Sequence, residues 1–331
     1  MILKLVEKIW YQKNAWSWLL SPLSFMYWIV VQVRRRVLCA FYQRKFPVPI
    51  IVVGNLSLGG VGKTPLVIAI VTELKRQGLR VGVVSRGYGA KTRDFPHLVS
   101  PNSDVSEVGD EPLLIAKKTQ CPVVIAPQRV KAIEVLLQQF DCQVIVSDDG
   151  LQHYKMGRSI EIVVIDGLRG MGNGFCLPAG PLREGTRRLN EVDFIIVNGG
   201  AWPQAHAMEL LPGRITSLFN GTVISPAQLK FNIAAVAGIG NPIRFFNTLT
   251  SLGIRHTQYS FNDHHAFVPH DLQLTEKIIV MTEKDAVKCQ SFANSNMYFL
   301  PVEAKITSKF WNAFWAHEQL QGYINEKNSM E

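Results

Sequence analysis

An α/β fold, a P-loop NTPase-type parallel sheet with helices on both faces, is predicted by three features of this 331-residue sequence. Short apolar, β-branched runs alternate with helical stretches, the pattern of strands joined by crossover helices. One run, Ile50-Ile51-Val52-Val53, leads into a glycine-rich loop that closes on Gly62-Lys63-Thr64 before a helical stretch at 66–77. A further run, 143–147, ends in Asp148-Asp149-Gly150.

The chain starts with a segment, 1–47, unlike the rest. It holds eight basic residues (Lys4, Lys8, Lys13, Arg34, Arg35, Arg36, Arg44 and Lys45) against Glu7 alone, and so carries most of the formal +9. The charge sits beside a sixteen-residue apolar stretch, 18–33, followed at once by Arg34-Arg35-Arg36. Crossing a bilayer takes about 20 apolar residues, and a secretory signal would place its charges first. The expected element is a helix lying in an anionic membrane surface, with Trp10, Trp16, Trp18, Tyr27 and Trp28 at the headgroup boundary. A helix buried against the body of the protein is the plainer alternative. Five widely spaced cysteines without a C-x-x-C pair suggest neither zinc nor disulfides, and a reducing cytoplasm. At 47% hydrophobic and 18% charged, the chain is expected to fold rather than to be disordered.

The P-loop core is expected at 48–200. In Ser57-Leu58-Gly59-Gly60-Val61-Gly62-Lys63-Thr64, glycines let backbone N–H groups point inward at a triphosphate, and the helix N-terminus adds partial positive charge. Lys63 is placed to bridge the β- and γ-phosphates of ATP and Thr64 to ligate Mg²⁺. Ser57 stands where the usual first glycine falls. Asp148 or Asp149, at the end of a strand expected beside the loop strand, supplies the metal carboxylate. Further strands are predicted at 81–85, 123–126, 160–165 and 194–197. A smaller C-terminal α/β portion, 201–331, closes over the site.

Several segments then combine: Ser85-Arg86-Gly87-Tyr88-Gly89, Val108-Gly109-Asp110-Glu111-Pro112, Asp148-Asp149-Gly150-Leu151-Gln152-His153, Leu177-Pro178-Ala179-Gly180-Pro181-Leu182-Arg183-Glu184, Phe261-Asn262-Asp263-His264-His265 and Thr282-Glu283-Lys284-Asp285. In this order after the P-loop they resemble the tetraacyldisaccharide 4′-kinase family of Gram-negative bacteria. Leu151, where an aromatic is common, and Asn262, where proline is common, depart from its pattern. The resemblance implies transfer of the ATP γ-phosphate to the 4′-hydroxyl of a tetraacylated glucosamine disaccharide 1-phosphate, at the cytoplasmic face of the inner membrane. It implies Asp110 as the base for that hydroxyl and His264 as the partner that orients or polarises it. Arg183 and Glu184 are expected on the nucleotide or the moving phosphate, and Gln152 and His153 on the acceptor sugar. Lys284 and Asp285, at the end of an apolar run, have the shape of a base-reading loop.

A partitioning-type P-loop ATPase switch is the alternative. Such proteins carry an extra lysine where this chain has Leu58. A GTPase is disfavoured because no Asn-Lys-x-Asp run is present. Neither a nucleic acid nor an obligatory protein partner is expected.

Overall fold

The computed structural model describes residues 9–12, 15–229 and 231–328. Lys4, Glu7, Lys8 and Lys13 of the N-terminal charge count lie outside them. After a short helical piece at 15–19 comes α1 (Ser21–Phe41), which carries Pro22 in its first turn, where the missing N–H is no loss. The helix runs past the 18–33 stretch, through the three arginines. One face docks: Ser24 is buried and bonds to the Cys176 carbonyl and the Ala179 N–H, while Tyr27 Oη donates to Arg183 O at 3.2 Å. Another face, Leu23, Met26, Val30, Val33 and Val37 at helical spacing, is exposed. Among the described residues no helix is long and apolar enough to cross a membrane.

Strand β1 (Ile50–Gly54) is buried along its length. Helix α2 (Lys63–Arg76) follows the loop, then β2 (Val81–Ser85), β3 (His97–Val99), α3 (Asp110–Thr119), β4 (Val123–Ile125), α4 (Arg129–Gln139), β5 (Val144–Asp148), β6 (Ile160–Asp166), β7 (Phe194–Asn198) and β8 (His206–Pro212). The predicted strand runs are all present. Side chains alternate across the sheet: Ile51 and Val53 join the core that holds Leu66, Ile70 and Leu74 of α2, whereas Ile50 and Val52 pack with Ala132, Ile133 and Leu136 of α4.

A second, six-stranded sheet is built from β9 (Ile215–Ser217), β10 (Val223–Ile224), β11 (Ile233–Ala237), β12 (His256–Ser260), β13 (Ile279–Thr282) and β14 (Met297–Leu300). Helices α5 (Pro242–Ser251) and α6 (Glu283–Cys289) belong to this lobe. The chain then returns to the first sheet as β15 (Val302–Ile306), antiparallel to β8. Helices α7 (Ser308–Trp315) and α8 (Glu318–Asn328) follow, and Phe310 and Phe314 of α7 complete the α2-side core. The first sheet reads β15-β8-β7-β6-β1-β5-β2-β4-β3, so β1 lies between β5 and β6. Sites in such sheets form beyond the strand C-termini where strand order reverses. The loop after β1 occupies that position.

Candidate active site

A cavity of about 740 Å³ lies between the lobes, walled by the loop after β1, the end of β5, the start of α6 and the inner face of α1. In the loop, Gly59 and Gly62 take φ of +108° and +94°. A Cβ on Gly62 would lie 2.4 Å from Asn198 Nδ2, which donates to Val61 O at 2.9 Å. Only glycine fits there. Ser57 needs no such freedom: it bridges to Leu182, and Leu58 N donates to Pro181 O at 2.8 Å. That is why the missing glycine is tolerated. Lys63 Nζ donates to Asn55 Oδ1 at 3.0 Å and lies 3.6 Å from Asp149 Oδ1.

The register Val53↔Asp148 sets the aspartates beside the loop. Asp149 takes a left-handed φ of +47°, and Arg183 Nη1 contacts both its oxygens at 3.1 Å. Burial pushes the Asp149 carboxyl up, but Lys63 and Arg183 outweigh it and hold it at about 2. Asp148 is enclosed. Its Oδ2 accepts from Ser85 Oγ at 3.3 Å, while its Oδ1 is buried with no hydrogen-bond partner. Burial, then the charges of Glu111 and Asp149, raise its carboxyl. A buried, unpartnered carboxylate oxygen, set beside the phosphate loop by the register of β5 with β1, suits a divalent cation. Among the described residues no group of three or more His, Cys, Asp or Glu forms a cage. Mg²⁺ bound with substrate phosphates needs none, since one or two carboxylates serve.

Across the cavity, the second lobe brings His264 to Asp110 at the start of α3. Nδ1 of His264 lies 3.0 and 3.1 Å from the two carboxylate oxygens. The Asp110 side chain is 4% exposed and that of His264 22%. Burial would raise Asp110, yet the His264 hydrogen bond and the charges of Lys284 and Lys288 win and hold it at about 2. Burial lowers His264, but the bond to Asp110 leaves it raised overall. An ionised carboxylate can only accept, so Nδ1 carries the proton and Nε2 of the neutral ring keeps its lone pair, which faces Lys284 Nζ at 3.4 Å. His264 has φ +60°, with its N–H bonded to Asp263 Oδ1, and its ring lies tilted by 55° against that of Tyr88, centroids 4.8 Å apart.

Of the expected site residues, Leu58 to Thr64, Asp149, Gln152, His153, Arg183, His264 and Lys284 line this cavity; Ser57, Asp110, Asp148, Glu184 and Asp285 lie behind its wall. Glu184 is fully buried and accepts from Tyr154 Oη and from Gln152 Nε2, so it braces the wall. Asp285 is enclosed as well, bonded to Gly238 N, Thr282 Oγ1 and Lys288. Lys284 goes to Glu111 at 2.9 Å and Asp263 at 3.2 Å. The turn after β13 faces the Asp110–His264 pair. His153 is kept neutral, held at about 3 by burial and by Arg129 and Arg86. Sequence reasoning gave no role to Tyr88, Arg244 or Lys288. Tyr88 sat in a quoted motif, whereas Lys288 carried no signal beyond sharing a helix face with Lys284 and Asp285.

A glycine loop with its lysine, strand-end aspartates and a His–Asp pair facing them across one cavity define a P-loop ATP-dependent phosphotransferase. The sequence model of the tetraacyldisaccharide-1-P 4′-kinase family matches residues 16–319. Tetraacyldisaccharide 4′-kinases of Legionella pneumophila (strain Lens) and Haemophilus influenzae (strain 86-028NP) are 55% and 51% identical over 318 and 304 residues. These matches cover 96% and 90% of this chain and 98% and 91% of the relatives. The crystal structure of LpxK from Aquifex aeolicus in complex with ATP is similar at a TM-score of 0.75 and 27% identity, covering 92% of this chain and 99% of that one. The chain belongs to the tetraacyldisaccharide-1-P 4′-kinase family. It is an ATP-dependent kinase of lipid A biosynthesis that phosphorylates the 4′ position, and the partitioning-type switch is not favoured.

Proposed function

We propose that the γ-phosphate passes between the two lobes, held by the loop of the first while His264 of the second takes the proton of the acceptor's 4′-hydroxyl. The observation that carries this reading is the tie from His264 Nδ1 to both oxygens of buried Asp110, which leaves Nε2 as the basic atom. A carboxylate held at about 2 is a poor base and an effective counterion. The roles suggested by the family resemblance are therefore exchanged: His264 accepts, and Asp110 orients it and stabilises its charged form. The 4′-oxygen bonds to phosphorus, the bond to the ADP oxygen breaks, and the hydroxyl proton goes to Nε2.

Leu58 to Gly62 cradle the phosphates with backbone N–H groups, Lys63 leaves Asn55 and Asp149 for the β- and γ-oxygens, and Arg183 meets the moving group. Thr64 and Asp148 would hold Mg²⁺, with Asp149 pairing Lys63 and Arg183. The cation, when bound, neutralises charge that builds on the phosphate oxygens. Gln152 and neutral His153 face the acceptor sugar. The second lobe, 215–300, closes over the site, supported by the near contact of Gly240 with Gly60.

The enzyme works peripherally at an anionic membrane, the cytoplasmic face of the inner membrane. The exposed stripe of α1 and the adjacent Arg34-Arg35-Arg36 support this, since α1 also contributes Tyr27, Val31 and Arg34 to the cavity wall.

The pH profile tests the proton step. His264 must be neutral to accept, and its proton is held more tightly than in an ordinary imidazole, so kcat/KM should rise with pH through a midpoint above about 6.5. His264→Ala should remove that limb and lower kcat by roughly 10²–10⁴. A limb that persists unchanged in the variant would sink the assignment.

A further inference from the structure

The polar cluster behind Asp110 holds more charge than a His–Asp pair needs. Asp285 accepts from Gly238 N at 2.8 Å and from Thr282 Oγ1 at 2.6 Å, and its second oxygen lies 2.7 Å from Lys288 Nζ. The Lys288 side chain is 6% exposed, with Nζ 3.7 Å from Asp110 Oδ2 and 5.1 Å from the centre of the Phe267 ring. Asp285, Lys288, Asp110 and His264 thus form a row of alternating charge that runs from the interior of the second lobe to the cavity. Asp285 alone would neutralise a buried ammonium. The placement against Asp110 is a second relation.

We propose that Lys288 is a positioning residue for phosphoryl transfer: fixed by Asp285, it holds Asp110 in place and, as a cation beside the Asp110–His264 pair, lowers the proton affinity of His264. This rests on the reading of His264 as proton acceptor. Lys288 does not line the cavity, so it acts through Asp110 rather than on substrate. Other groups face His264: Asp110 and Glu111 from α3, Asp263 from its own loop, Lys284 from α6 and the ring of Tyr88. Lys284 divides its charge between Glu111 and Asp263 and is 4.0 Å from Asp110. Lys288 is closer and more enclosed, so water and salt screen it less. The depressed Asp110 carboxyl agrees with a cation on each side of it.

Three variants separate this from a packing role: Lys288→Met, Lys288→Arg and the double change Asp285→Asn with Lys288→Met. The double change removes both members of the buried pair and keeps the test open if Lys288→Met alone fails to fold. Protonation of His264 is followed by NMR of histidine-labelled protein, its signal assigned with His264→Gln. Loss of the cation should move the His264 midpoint upward by roughly one pH unit in Lys288→Met, and by less in the double variant, where loss of the Asp285 anion offsets part of the effect. Lys288→Arg, which keeps the charge, should leave it near that of the parent. At pH 7 kcat/KM should fall up to roughly tenfold and recover above the new midpoint, with KM for ATP unchanged. An unmoved midpoint in Lys288→Met, or in the double variant if the single change does not fold, with equal activity loss at every pH, overturns the proposal. A midpoint that moves while the kinetic limb stays put leaves Lys288 coupled to His264 and overturns instead the reading of His264 as acceptor.

Discussion

Gly62 shows how narrowly a single residue can be fixed. Its φ of +94° and the 2.4 Å from a would-be Cβ to Asn198 Nδ2 leave no space for a methyl group. Gly62→Ala should cost about 1–3 kcal/mol in stability from backbone strain and lost hydrogen bonding, and weaken ATP binding at least tenfold. Calorimetric unfolding and ATP titration check both. Lys63→Ala should leave stability nearly unchanged but cut transfer by roughly two to three orders of magnitude, because its charge is positioned for the phosphates. Near-normal turnover would refute the P-loop role. These two residues are legible in the sequence because their chemistry is local. Glu184 and Lys288 are not, because their roles depend on what tertiary packing places beside them: Tyr154 and Gln152 in one case, Asp110 in the other.

At the scale of elements, strands are legible where both faces are buried, since apolar runs such as β1 and the 162–165 stretch of β6 have no solvated side to interrupt them. Helix α1 is harder to bound. The apolar stretch breaks after Val33 at three arginines, yet the helix runs through them to Phe41; Arg35 pairs with Glu191 and lies over the Tyr154 ring, which keeps the basic turn attached. The docked Ser24–Tyr27 face and the exposed Leu23–Val37 stripe differ in what they should do. Changing Met26, Val30 and Val33 together to serine should reduce co-sedimentation with anionic vesicles strongly, each buried apolar side chain contributing up to about 1.5–3 kcal/mol. Thermal unfolding and ATP affinity should stay near those of the parent. High salt should release only part of the unmodified protein, since it screens the arginines but not apolar contact, whereas detergent should release all of it. Unchanged co-sedimentation of the triple variant would show that the stripe does not meet the membrane.

The whole molecule divides the chemistry between two sheets. The first supplies the phosphate loop, Asp148, Asp149 and Asp110; the second supplies His264, Lys284 and the Asp285–Lys288 pair. The chain's return through β15 and α7 anchors the second sheet to the first at both ends, so the lobes meet with the Gly238–Gly240 turn against the loop. That return was not legible, because β15 carries no long apolar run and gains its place only by pairing with β8. The division makes the Asp110–His264 contact the point where the two lobes become one catalyst. It is tested most directly by a double-mutant cycle on transfer of labelled γ-phosphate to detergent-dispersed tetraacyldisaccharide 1-phosphate, with Asp110→Asn, His264→Ala and both together. If the pair works as a unit, the double variant should be little slower than the slower single one, with ATP affinity unchanged throughout. Losses that add in full would contradict it.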